Sequence, residues 1–297
     1  MTKFLVSFHL LMASLFGLYL GQISSNPATT TAIPVCHTVA AVDFTFPQEG
    51  MKQFALDPAF QALHQSPLPF HYDGMGKEIT FKTPDGKDAS GYLIKAQKTS
   101  DKWLFVYQEW WGLNDYIRRQ SDQFYKDLGE NVNVLALDMY DGKSTDNPQE
   151  AGKLMMGTQV DRLVSIVKGG FDYAGPKAQV ANVGWCFGGG WSLRSGLIGG
   201  DQTIGTVMYY GMPVQDVEQL KKLDGDVLGL FATEERISKE VIEQFDANMK
   251  KAGKQLTYKI FPGVHGFANP SNPKYDEANA KVAYGMALGY LKKKFKV

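Results

Sequence analysis

From residue 77 the chain alternates short unbroken apolar runs with segments whose apolar residues recur every three or four positions. The runs read as buried strands and the spaced segments as amphipathic helices. "EITFK" and "SGYLIKA" flank Pro84-Asp85-Gly86, which predicts an antiparallel hairpin. "WLFVYQ" at 103–108 and "VNVLALD" are the next two strands, with a helix between them. Asn114 is placed to cap that helix, Ile117, Phe124 and Leu128 form its inner face, and Gly129 ends it. A long helix is expected over 148–169, then the strand "QVANVGW" and a helix opening on glycines. "IGTVMYYG", "DVLGLFA" and "QLTYKIF" read as strands. Ser238 is placed to cap a helix with Val241, Phe245, Met249 and Ala252 inward and Gly253 behind it. A last helix carries Ala278, Val282, Met286 and Tyr290 at four-residue steps. Alternating strands and helices predict an α/β fold, a mostly parallel, doubly wound sheet with helices on both faces.

Upstream of residue 77 the pattern changes. Lys3 is followed by an apolar run from Phe4 to Leu20, which reads as a secretory signal peptide over 1–25. A secreted or periplasmic protein is the expectation, with membrane attachment only if that segment stays uncleaved. Residues 26–76 are rich in Pro, Thr, Ser and His and read as a linker or packed arm with one short helix in "FALDPAFQALHQS". Residues 77–297 form the main domain.

Composition removes several function classes. The 31 basic and 31 acidic side chains cancel, which argues against nucleic acid as partner. The 2 cysteines are too few for a disulfide framework. The 5 histidines are scattered without ligand spacing, so no structural or catalytic zinc site is expected. A monomer is expected.

In a parallel sheet the working residues sit at the carboxyl ends of strands. Glu109, Cys186 and His265 fall there, and Glu235 follows "DVLGLFA". Gly184-Trp185-Cys186-Phe187-Gly188 has the spacing G-x-C-x-G, a nucleophile elbow with cysteine in place of serine. The turn needs small neighbours, and it aims the Phe187 N–H at a developing oxyanion. The helix end also favours thiolate over thiol. Leu193 breaks the dinucleotide spacing that starts at Gly188, and no Gly-Lys-Ser/Thr is present for a P-loop. The order nucleophile, acid, histidine is that of α/β-hydrolases, with Glu235 as the acid and Glu234 as its rival.

Together "QEWWGLNDYIRRQSDQF", "LDMYDGK", "GWCFGGG", "LGLFATEERI" and "FPGVHGFANPSNPKYDEA" resemble the dienelactone hydrolase family over residues 77–297. The resemblance implies an α/β-hydrolase fold and a Cys-Asp-His triad. Cys186 and His265 match it, and the family's aspartate falls on Glu235, one methylene longer. The family's glutamate falls on Glu109, where a buried carboxylate is able to hold or accept the thiol proton. By the same resemblance, the Trp110 N–H completes the oxyanion hole with Phe187. The implied reaction is hydrolysis of a small ester or lactone through a thioester, for which neither cofactor nor metal is expected. Trp111, Tyr140, Phe267, Asn269 and Lys143 are candidate substrate contacts. Asn269 stands where members acting on the dienelactone carry an arginine, so a neutral substrate is expected. Two rival readings are a secreted non-catalytic binding protein on a degenerate hydrolase fold and a thiol redox protein.

Overall fold

The computed structural model describes residues 50–297. The signal-peptide reading and Cys36 lie outside the described residues. A short 3-10 turn (Met51–Phe54) and α1 (Pro58–Leu63) precede the sheet. The hairpin is β1 (Lys77–Lys82) and β2 (Asp88–Ile94), turned by Gly86 at φ 80°. Then come β3 (Lys102–Tyr107), α2 (Asp115–Asp127), β4 (Asn133–Leu137), α3 (Pro148–Gly157), α4 (Val160–Ala174) and β5 (Gln179–Trp185). The second half holds α5 (Phe187–Gly199), β6 (Thr203–Tyr209), α6 (Val217–Leu220), β7 (Asp226–Ala232), α7 (Lys239–Lys251), β8 (Leu256–Phe261) and α8 (Glu277–Phe295).

The strands form one eight-stranded sheet in the order β1-β2-β4-β3-β5-β6-β7-β8. Pairing is parallel from β4 across to β8, and β1 and β2 add an antiparallel edge. The central strands β3, β4, β5 and β7 are buried almost throughout, as their unbroken apolar runs require. Asn114 and Ser238 do cap α2 and α7, each accepting a backbone N–H from the first turn.

One helix expectation is corrected and another is refined. The long helix over 148–169 is two helices, because Thr158 and Gln159 adopt extended backbone between α3 and α4. The C-terminal helix buries Ala280, Ala283, Ala287, Leu291 and Phe295, while Val282 is exposed. Its inward stripe is mostly alanine, one position off the four-residue series at 278, 282, 286 and 290.

The arm is anchored on the body. Phe60 is buried, and Asp57 pairs with Arg236 at 2.5 Å while the Arg236 guanidinium lies over the Phe60 ring. Further along, Asp122 on α2 accepts hydrogen bonds from the hydroxyls of Tyr72 and Tyr92 and from the Met75 N–H.

Candidate active site

Sheet register alone brings three side chains together. Tyr107 pairs with Gly184, so Glu109 and Cys186, each two residues further on, leave adjacent strands side by side. Trp185 pairs with Tyr209, which sets Tyr210 on the other flank of Cys186. Ala232 pairs with Phe261, and the loops after these two residues carry Glu234 and His265.

Cys186 is the crest of the turn between β5 and α5, at φ 56° and ψ −116°. That is a strained conformation for a residue with a side chain, and it persists because the surroundings over-determine it. A side chain on Gly184 would collide with the Gly188 carbonyl, and one on Gly188 with the carbonyls of Tyr107 and Gln108. The glycines are therefore set by backbone-to-backbone contact. Beneath the turn, the Tyr107 hydroxyl donates to Ser195, which bonds Asn182, a buried polar chain joining β3, α5 and β5.

His265 Nδ1 lies 2.8 Å from Glu234 Oε1, both groups almost fully enclosed. The assignment of the acid to Glu235 is corrected by this contact. Glu234 turns inward from the short loop after β7, and its neighbour Glu235 consequently faces solvent. Burial opposes a charge on His265, yet the Glu234 carboxylate and Cys186 outweigh it and hold the imidazole well above its usual value. Burial pushes the Cys186 thiol up, with His265 pulling against it and the Phe187 N–H bonding the sulfur. His265 Nε2 is buried with no closed hydrogen bond. Cys186 and His265 are nonetheless close enough for the sulfur to raise the imidazole and the imidazole to pull the thiol down.

Glu109 is buried beside them. Its carboxylate accepts from the Asn269 amide and, at 3.3 Å, from the Tyr210 hydroxyl. Burial pushes it up to about 7, against the His265 charge and the Tyr210 hydroxyl. The arginines nearest in sequence are engaged elsewhere: Arg118 pairs with Glu78 and Asp115, and Arg119 lies over Phe70.

The remaining expected contacts divide. Trp110, Trp111 and Asn269 line the small cavity at Cys186, and Asn269 also accepts the Ser271 N–H in a turn. Tyr140 packs on Phe187 with its hydroxyl buried and unpartnered, and the Cys186 charge reaches it. Phe267 is not a cavity residue. It is fully buried between Phe261 and Tyr210, where an aromatic beside the histidine fills core. Lys143 is not there either: it lines a separate surface cavity with Asp115 and Arg118, since the turn after β4 carries it outward.

Two residues at the site were not foreseen. Tyr210 sits at a carboxyl end of a strand, a signal that was available. His64 belongs to the arm, and nothing local marked it. Its ring centroid is 5.0 Å from that of His265 and 4.6 Å from that of Trp110. His64 Nδ1 lies 2.7 Å from the Phe60 carbonyl, and Nε2 is buried without a partner. With His64 and Gln65 over it, the cavity at Cys186 is about 10 Å³, room for roughly one water molecule.

Residues 89–295 match the dienelactone hydrolase family. The chain is 27% identical to "Protein usf" of Aquifex pyrophilus over 73% of its own length and 98% of that protein. It is likewise 27% identical to the "Putative carboxymethylenebutenolidase" of Aquifex aeolicus, over 73% and 98%. Among solved structures, a dienelactone hydrolase-like promiscuous phosphotriesterase from metagenomic libraries superposes with TM-score 0.62 at 18% identity. That likeness covers 74% of this chain and 99% of the other, and it carries the fold.

Proposed function

We propose that this chain, which belongs to the dienelactone hydrolase family, is a hydrolase that opens a small neutral ester or lactone through a thioester on Cys186. The observation that carries this reading is the enclosed row Cys186, His265 and Glu234, brought together past the carboxyl ends of β5, β8 and β7. Glu109, with its carboxyl near neutrality, takes the thiol proton as substrate arrives. The sulfur attacks the carbonyl carbon, and the oxyanion forms within reach of the Phe187 and Trp110 N–H groups. His265, kept protonated by Glu234, gives its proton to the leaving oxygen. Neutral again, it draws a proton from the water that cleaves the thioester.

A neutral acyl group is favoured because, among the described residues, the cavity lining carries no lysine or arginine and already holds the Glu109 carboxylate. The buried, unpartnered Trp110 Nε1 and Tyr140 hydroxyl are donors suited to an ester oxygen. Substrate entry requires the His64–Gln65 segment to move, since the cavity beneath it is far smaller than an ester. Hydrolysis of a chromogenic short-chain ester, lost in Cys186→Ala, tests the reading; an unchanged rate in that variant overturns it. We also keep residues 1–25 as a proposed secretory signal, checked by the N-terminal sequence of the exported protein.

A further inference from the structure

His64 has no task in the hydrolytic scheme, yet it completes a second arrangement around Cys186. One ligand atom each from His64, Cys186 and His265, a ring nitrogen or the sulfur, lies within 4.8 Å of the others, and all three residues are buried. Nδ1 of His64 is held by the Phe60 carbonyl and Nδ1 of His265 by the Glu234 carboxylate. Each ring therefore keeps Nε2 for the cluster: both Nε2 atoms are buried, that of His64 has no partner among the described residues, and His265 has the Cys186 thiol for its neighbour. An imidazole tied at one nitrogen to a carbonyl or carboxylate is the arrangement that orients histidine as a metal ligand.

We propose that His64, Cys186 and His265 form a three-ligand site for a zinc-class divalent cation. Two imidazoles and a thiolate are borderline-soft donors, which select zinc over calcium or magnesium. A zinc tetrahedron has donor-to-donor edges of roughly 3.5 Å, so sub-ångström shifts of each side chain close the site. The cavity of about 10 Å³ under the arm admits a single ion where it does not admit an ester. The Glu109 carboxylate adds attraction for a cation, and Arg236 beside His64 opposes it. Binding displaces the thiol proton, and any proton on His265 Nε2, to solvent. The spacing argument against a metal fails here because the three ligands come from the arm, the elbow and the loop after β8. His64 also lies outside the span 89–295 that matches the family, while Cys186 and His265 lie within it, so the arm supplies the ligand that completes the site.

The test uses the full chain and Zn2+ titrated against a fluorescent zinc chelator, with zinc-edge X-ray absorption of the loaded protein. One zinc per chain is expected, with one sulfur at about 2.3 Å and two imidazole nitrogens at about 2.0 Å. His64→Gln is expected to weaken affinity about a hundredfold. No binding, or a wild-type spectrum with fewer than two imidazoles, overturns the proposal whether or not the variant folds. Equal affinity in a folded His64→Gln protein overturns it as well. None of these readouts needs turnover, so the metal site and the hydrolytic reading stand or fall separately.

Discussion

Two loops bring a histidine to Cys186, and they treat it in opposite ways. The loop after β8 ties His265 to a carboxylate, which holds the ring well above its ordinary value. The arm ties His64 to a carbonyl inside a buried pocket, and burial, helped by the neighbouring His265, pushes it down to about 3. The side chains are identical and a ring's width apart. What differs is the group behind each ring: an anion makes a proton carrier, and a neutral dipole makes a ring that stays uncharged.

The largest effect comes from removing the group both rings face. Cys186→Ala is expected to lower ester hydrolysis by on the order of 10⁴ or more, and iodoacetamide labelling of Cys186 should track the loss. Full activity after complete labelling would break the comparison at its centre.

Next, Glu234→Gln puts a neutral group behind His265 and so makes its setting like that of His64. A fall in kcat/KM on the order of 10³–10⁴ is expected, with Glu235→Gln nearly normal. The reverse ranking would return the acid role to Glu235.

Third, the two rings have opposite linkage to stability. The folded His265 binds its proton more tightly than the unfolded chain does. Its contribution is full below the unfolded value of 6.5 and is lost as pH rises through its raised folded value. The folded His64 is depressed to about 3, so its contribution is full above 6.5 and is lost as pH falls toward about 3. Asp57, lowered by its bond to Arg236, acts in the same direction at the acid end. The arm is therefore expected to loosen first in acid, with His64 alone worth up to about 5 kcal/mol. Limited proteolysis between residues 55 and 70 should accelerate between pH 6.5 and 4. His64→Gln should remove most of that dependence, and a pH-independent cleavage rate in the parent protein would refute the assignment.

The smallest effect concerns substrate charge. With Asn269 holding Glu109 and no lysine or arginine among the described residues that line the cavity, a neutral ester should exceed a carboxylate-bearing analogue of equal size by about tenfold to a hundredfold in kcat/KM. A clear preference for the charged analogue would mean that a cation, such as Lys143, reaches the site when the arm moves.

The strands, the hairpin, the caps at Asn114 and Ser238 and the elbow at Cys186 were all determined by the sequence by itself, because each rests on residues within a few positions of one another. A run of buried apolar residues, a capping side chain and the G-x-C-x-G spacing are local constraints on backbone and burial. The break at Thr158 and the alanine stripe of α8 escaped because helix pattern and side-chain size do not report what lies opposite. Only the tertiary structure decided between Glu234 and Glu235, since one residue's difference turns a side chain from His265 to solvent. The same holds for His64, whose place beside Cys186 depends on Phe60 docking and the Asp57–Arg236 pair, contacts made across more than a hundred residues of chain. Which group stands behind an imidazole is a long-range fact, and it is this fact that sets what each histidine at the site is able to do.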